Sequence, residues 1–414
     1  MSKVDEIRAA ISDFDWTQKK SNINYSSHSI HKYPAKLIPQ IPKMFIEKFG
    51  IKGGCVLDPY CGSGTTLLEA KLAGMNSIGF DINPLALFIS KVKCQNIGIQ
   101  QTKKEIDLFK ELFFDKKQPY CLRLPYKEAI TWFPNQALNQ INTIWFEIDS
   151  FECQASTKDI IKIAFSDILR AVSYQRNDEF KLYRIDPEER PGFYVDPLPL
   201  LFQKIDKIYS QLSILKTNTQ EMKTNVSIFN YDSSSSGKKP TPMIGRRSIR
   251  MVVTSPPYGD SSTTVAYGQF SWLSNRILNM TPDSKQGGVD KILMGGKPKK
   301  RLYVRKFGTL PIILSLIHPK LRVKVKSFFS DYLRSIKTVS SLLKSGGICC
   351  YVVADRTVDN QIIPMAEFTK LAFEKYGLQH VGTYKRNMIG KRLPLKNNKS
   401  SLINEEIIVV MYKD

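Results

Sequence analysis

The chain has 414 residues, with 61 Lys and Arg against 38 Asp and Glu, so its formal charge of +23 favours a polyanion such as nucleic acid over a small metabolite. At 42% hydrophobic and 24% charged it is a globular chain, long enough for two or three domains or one large core with insertions. Seven cysteines without C-x-x-C spacing and four histidines without H-x-x-x-H spacing argue for a reducing cytosol and against a disulfide scaffold or metal site. The charged start, Met1 to Glu6, lacks a signal peptide's apolar core, and no stretch reaches the roughly 18 apolar residues of a spanning helix. A cytoplasmic prokaryotic protein with no membrane and no metal is expected.

In chain order, residues 1–30 are polar and predict a short helix followed by a loop. His31-Lys32-Tyr33-Pro34-Ala35-Lys36-Leu37-Ile38-Pro39 is broken by prolines, and 41–49 is helix-like. Next, Cys55-Val56-Leu57-Asp58-Pro59-Tyr60-Cys61-Gly62-Ser63-Gly64-Thr65-Thr66 predicts a strand, a glycine turn and a helix. Gly62 and Gly64 let the backbone approach a ligand, and Thr65 and Thr66 are candidate caps of a helix whose N–H groups face the same ligand. The spacing is neither a P-loop nor a complete G-x-G-x-x-G. Ser77-Ile78-Gly79-Phe80-Asp81-Ile82-Asn83-Pro84 predicts a second strand ending in an acid, about twenty residues after the glycine turn, where nucleoside sites of this topology bind ribose hydroxyls.

Residues 100–220 differ in texture. Apolar residues at helical spacing in 103–114, 160–173 and 200–215 predict a largely helical insertion. Its aromatics, including Trp132, Trp145, Tyr174, Tyr183 and Phe193, suit core filling better than base stacking. Strand texture returns at 225–232 and ends in Asp232, with a Ser-rich run behind it.

The strand 249–253 then runs into Thr254-Ser255-Pro256-Pro257-Tyr258-Gly259. Two prolines make a stiff loop that cannot extend the sheet, at the strand end where open α/β sheets place ligands. Beyond it the chain is glycine-bearing and irregular. Residues 285–326 carry 12 Lys and Arg and one acid, with Trp272, Tyr303 and Phe307 in or near them, a pattern that suits phosphate tracking. Regular structure resumes with a helix at 328–343, a turn at 345–347 and a strand at 348–354. A helix at 365–376 follows, then strands at 380–385 and 406–412, expected as an antiparallel hairpin at the sheet edge with 387–404 as its loop.

Seven strand candidates, the first five separated by helices, imply a mostly parallel sheet. On Asp58 to Thr66 and Thr254 to Tyr258 the chain resembles the S-adenosylmethionine-dependent DNA methyltransferases that modify exocyclic amines. Asp81 to Asn83, Asn230 to Ser233, and Tyr33 to Lys36 fall where that family's further motifs would, so the resemblance covers about 28–95 and 225–414. It implies an α/β, Rossmann-like methyltransferase sheet of seven strands. The expected division is 1–99 with the cofactor loop, 100–220 as helical insertion and one candidate DNA-recognition region, and 221–414 as catalytic part, whose basic segment at 260–326 is the other candidate for contacting DNA.

The family's loop begins with Asp or Asn in adenine-N6 enzymes and with Ser in cytosine-N4 enzymes. Ser255 therefore implies cytosine N4, in double-stranded DNA, with the base flipped out. Ser255 and the Pro256 carbonyl would accept the amine hydrogens, Pro257 would stiffen the loop, and Tyr258 would stack on the base. The resemblance implies S-adenosylmethionine against Tyr33, Pro34, Lys36, Asp58, Pro59, Tyr60, Gly62, Ser63, Gly64, Thr65, Thr66, Asp81, Ile82, Asn83 and Asp232. Asp81 would take the ribose and Asp232 the adenine amine. Such enzymes commonly pair with a restriction endonuclease acting on the same site. The alternatives are an adenine-N6 DNA or RNA methyltransferase, a catalytically silent nucleic-acid-binding subunit, and a small-molecule methyltransferase, the last disfavoured by the charge.

Overall fold

β-branched and apolar residues on alternate sides of each strand bury both faces of a single sheet. The computed structural model describes residues 1–19, 21–51, 53–114, 129–176, 180–235, 244, 249–260, 264–280, 288–295, 307–388 and 403–414. The sheet strands are β1 (Cys55–Asp58), β2 (Asn76–Asp81), β3 (Val226–Asn230), β4 (Ile249–Thr254), β5 (Leu343–Val353), β8 (Leu378–Asn387) and β9 (Glu405–Lys413). Between them in the chain, β6 (Arg356–Val358) and β7 (Gln361–Ile363) form a separate hairpin. Its turn residues Asp359 and Asn360 have φ of 53° and 59°, the paired left-handed conformation of a tight hairpin turn.

The sheet order is β3-β2-β1-β4-β5-β9-β8. The first five strands pair in parallel and β9 is antiparallel to both neighbours, so the α/β, mostly parallel seven-stranded arrangement and its C-terminal hairpin stand as expected. Most of the connecting loop, 389–402, lies outside the described residues. The chain runs outward from β1 through β2 to β3 and returns to β4 on the other side of β1. The loops after β1 and β4 therefore diverge at the switch point, where a crevice opens. The expected turn at 345–347 is instead a bulge inside β5: Ile249 pairs with Leu343 and Met251 with Ile348, and Gly346 at φ 75° absorbs the extra residues.

One sheet face, with Val56, Met251, Val253 and Cys350, packs on α1 (Lys3–Ile11) and α2 (Gln40–Phe49). The other, with Leu57, Val252, Cys349 and Tyr351, packs on the helices Pro319–Leu342 and Met365–Lys375. The insertion is helical over Ile99–Glu111, Asn135–Ser150, Ala155–Ile168 and Pro197–Thr219. The last begins on Asp196, whose carboxylate caps Leu198 N–H, followed by proline at the first turn. These helices share one core with α3 (Thr65–Leu72), α4 (Pro84–Cys94) and the helix Tyr267–Ile277.

That helix corrects the expectation of irregular chain after Gly259. Its first N–H groups, Gly268 and Gln269, are capped by Asp290, the one acid of the basic run. Trp272 and Phe307 are buried in the core, so they are not part of an aromatic phosphate-tracking surface, and Tyr303 lies outside the described residues. Among the described residues no helix is long and apolar enough to cross a membrane.

Candidate active site

The loops after β1, β2, β3 and β4 line one cleft. Of the residues singled out by sequence, Tyr33 and Lys36 lie on its wall, as do Asp58, Pro59, Tyr60, Gly62, Ser63 and Thr65. Asp81, Ile82, Asn83, Asp232, Ser255 and Pro257 complete that set. Pro34, Gly64, Thr66, Pro256 and Tyr258 adjoin these residues in the chain and are not among those that line the cleft.

The glycine turn is organised by Asp81. Its Oδ1 accepts the N–H groups of Ile82 and Asn83, both at 2.8 Å, and its Oδ2 accepts Gly62 N–H at 2.9 Å. A carboxylate has about four acceptor sites, so Oδ2 keeps one lone pair for a ligand hydroxyl. Burial pushes this carboxyl up from its ordinary range, and the three N–H groups oppose that shift. The cap of α4 is Asn83, whose Oδ1 accepts Leu85 N–H while its amide donates to Tyr33 Oη and Ser271 Oγ.

Gly62 and Gly64 have φ of 49° and 78°. A Cβ on Gly64 would stand 2.8 Å from Ser90 Oγ, so glycine is required there twice over. The threonines do not cap α3: Gly64 is its N-cap without a side-chain bond, and Thr66 Oγ1 instead donates to Val253 O at 3.1 Å, tying the helix to β4. Behind the loop, buried Lys93 donates to Ser63 Oγ at 3.4 Å, and burial pushes its ammonium down to about 7. His28 meets Glu69 at 2.6 Å. Burial pushes the histidine down to about 2 and the carboxyl up to about 7, so the pair is a hydrogen bond rather than an ion pair.

Asp58 joins the two loops. Its Oδ1 accepts Tyr60 N–H at 3.1 Å and Thr254 Oγ1 at 2.5 Å. It is 4% exposed, and burial pushes its carboxyl up to about 6. Thr254, the last residue of β4, was missed as a site residue by sequence reasoning, although it directly precedes Ser255. On the far wall, Asp232 Oδ1 accepts both the N–H and the hydroxyl of Ser234. Tyr60 Oη donates to Ser335 Oγ at 2.6 Å, and Ser335 to Ser233.

At the β4 end, Ser255 faces the cleft with its Oγ 3.1 Å from Tyr258 Oη. Tyr258 donates at 2.8 Å to Glu406 Oε1, and Glu406 Oε2 is held by Arg386 from the adjacent strand. Burial and the Glu406 carboxylate hold this phenol well above its ordinary range. Glu406 was missed because it lies far along the chain, with no local signal beyond its place at the start of β9. Tyr267, stacked on Tyr33 at 5.9 Å, is a further wall residue that sequence reasoning missed.

A family model of DNA methylases, of the N6/N4 amino-methylating type, matches residues 7–92. Type II methyltransferase M.MvaI of Kocuria varians is 31% identical over 414 residues, covering 94% of this chain and 90% of that protein. The chain belongs to the amino-methylating DNA methyltransferases of restriction-modification type. S-adenosylmethionine is the cofactor of this methyltransferase, and DNA is what its family acts on. Shorter matches join it to M.MjaII of Methanocaldococcus jannaschii, 41% identical over 41% of this chain and 30% of that one. M.BsoBI of Geobacillus stearothermophilus is 32% identical over 38% of this chain and 31% of that one.

Proposed function

We propose that this methyltransferase modifies the exocyclic N4 amine of a flipped-out cytosine at one short DNA sequence. The observation that carries the reading is Ser255: a hydroxyl, not a carboxylate or carboxamide, heads the Pro-Pro loop and shares one cleft with Asp58, Asp81 and Asp232.

The cleft's chemistry suits S-adenosylmethionine. The spare lone pair on Asp81 Oδ2 would take a ribose hydroxyl. Asp232, exposed, has an Oδ2 with no hydrogen bond among the described residues and would accept the adenine amine. Lys36 and the N–H groups at the start of α3, which no side chain caps, would hold the methionine carboxylate. When bound, the cofactor supplies an electrophilic methyl on a sulfonium.

The chain's own residues supply geometry. The cytosine amine is a poor nucleophile because its lone pair is conjugated with the ring. Ser255 Oγ and the Pro256 carbonyl would accept its two hydrogens and favour the pyramidal nitrogen of the transition state. Two prolines keep those acceptors fixed, and the Asp58–Thr254 bond fixes the loop against the cofactor turn. The helical insertion, 100–220, and the basic segment, 260–326, are the proposed DNA-facing regions. A cognate restriction endonuclease is the proposed partner.

The test is to treat unmodified DNA with the purified protein and cofactor, digest it and separate the nucleosides by mass. N4-methylcytosine is expected, and N6-methyladenine as the sole product would overturn the cytosine assignment.

A further inference from the structure

The Ser255–Tyr258–Glu406 contacts have a direction. The Glu406 carboxylate, ion-paired with Arg386, is an acceptor only. Tyr258 has one hydroxyl hydrogen and gives it to Glu406 Oε1 at 2.8 Å. The 3.1 Å contact between Tyr258 Oη and Ser255 Oγ must then be donated by Ser255. Among the described residues Ser255 Oγ has no other hydrogen-bond partner, so its hydrogen is spent on Tyr258 and its lone pairs are what it offers the cleft.

We propose that Glu406 is a positioning residue that sets the polarity of this chain and makes Ser255 an obligate acceptor toward the substrate amine. This rests on the amine-methylating reading above and deepens it. The topology makes the arrangement available. Because β9 is antiparallel to β5, its first residues lie at the carboxyl ends of the parallel strands, where Tyr258 can reach Glu406 past β5. The two oxygens of Glu406 have separate duties, Oε2 to Arg386 and Oε1 to Tyr258.

The division of duties makes the isosteric variant informative. In Glu406→Gln the amide oxygen goes to Arg386, a donor, and the NH₂ group faces Tyr258. Tyr258 then accepts there and turns its hydrogen onto Ser255, whose own hydrogen is released toward the substrate amine, the wrong polarity for binding N–H. Tyr258→Phe keeps the ring and the Glu406–Arg386 pair but removes the link, so Ser255 loses orientation without being reversed. It also serves as the variant that leaves the partly buried ion pair intact.

The experiment is a double-mutant cycle on steady-state methylation, with cofactor affinity by calorimetry. Glu406→Gln is expected to lower kcat on the order of ten- to a hundredfold while the DNA KM and cofactor Kd stay within about twofold. Tyr258→Phe is expected to lose less. The double variant is expected to be no worse than Tyr258→Phe alone, because the amide acts only through the hydroxyl. Full kcat in Glu406→Gln, or losses that multiply in the double variant, would overturn the proposal. Ser255→Ala run alongside separates the two levels: if it is inactive while Glu406→Gln is not, the polarity fails and the amine chemistry stands. If Ser255→Ala keeps full turnover, both fail.

Discussion

Asp58→Asn should make the cofactor-free protein more stable at pH 8. The hydrogen bonds from Tyr60 N–H and Thr254 Oγ1 to the Asp58 side chain both end on Oδ1, and the Thr66 hydroxyl lies beside the same carboxyl. An asparagine carbonyl in that place keeps the Tyr60 and Thr254 bonds, and Thr66 Oγ1, whose hydrogen goes to Val253 O, can accept from the new amide, so the substitution chiefly removes the charge. The charge is costly where it sits: burial raises the carboxyl from 3.8 to about 6. A folded-state value above the unfolded one means that the native protein holds the proton more tightly. This group's contribution is therefore most favourable below about 4 and declines as pH rises through 6. At pH 8 the accumulated cost is roughly 3 kcal/mol, from the difference between those two values. Urea unfolding of both proteins at pH 4.5, 6 and 8 checks this, since other titrating groups cancel in the difference. The variant is expected to gain up to about 3 kcal/mol at pH 8, with the gap closing as the solution is acidified. A variant less stable than wild type at pH 8, or a gap independent of pH, would refute the argument. The same substitution is expected to weaken cofactor binding, the usual cost of relieving a strained functional site.

Three further outcomes follow from the same geometry. Ser255→Ala is expected to lower turnover at least tenfold with cofactor affinity nearly intact, read by methylation kinetics and calorimetry side by side. Asp81→Asn turns an acceptor into a donor against either Gly62 N–H or the Ile82 and Asn83 pair. It should weaken cofactor binding by about 1.5–3 kcal/mol, or roughly ten- to a hundredfold, and unchanged affinity would remove Asp81 from the site. Gly64→Ala combines a φ of 78° with a 2.8 Å approach to Ser90 Oγ, and should cost about 1–3 kcal/mol by denaturant melting even without ligand.

The parts of the site that were legible in the sequence are those held by neighbours in the chain. The strand, glycine turn and helix around Gly62 announce themselves because backbone conformation, apolar run and cap are all local. The same holds for the strand ending in Asp81 and for the Pro-Pro loop. The sheet followed from the spacing of seven apolar runs. What escaped was set by tertiary pairing. Thr254 meets Asp58 only once β4 lies beside β1, and Glu406 meets Tyr258 only because β9 is antiparallel. The threonines after Gly64 carry a good capping signal, yet a left-handed glycine took the cap position and freed Thr66 to tie α3 to β4. Trp272 and Phe307 sat in or near a basic stretch, and composition alone does not reveal that their rings turn inward. In β5 the Ser-Gly-Gly sequence at 345–347 signals a turn, but parallel pairing on β4 absorbs it as a bulge.

The central claim is the N4 amine of cytosine at one site. The most direct test is single-molecule sequencing of DNA from a host expressing the protein, read for modified bases. A cytosine-N4 signal confined to one short repeated sequence, and lost in a host expressing Ser255→Ala, is the predicted result. Modified adenine at that sequence, or no modified base in DNA, would contradict it.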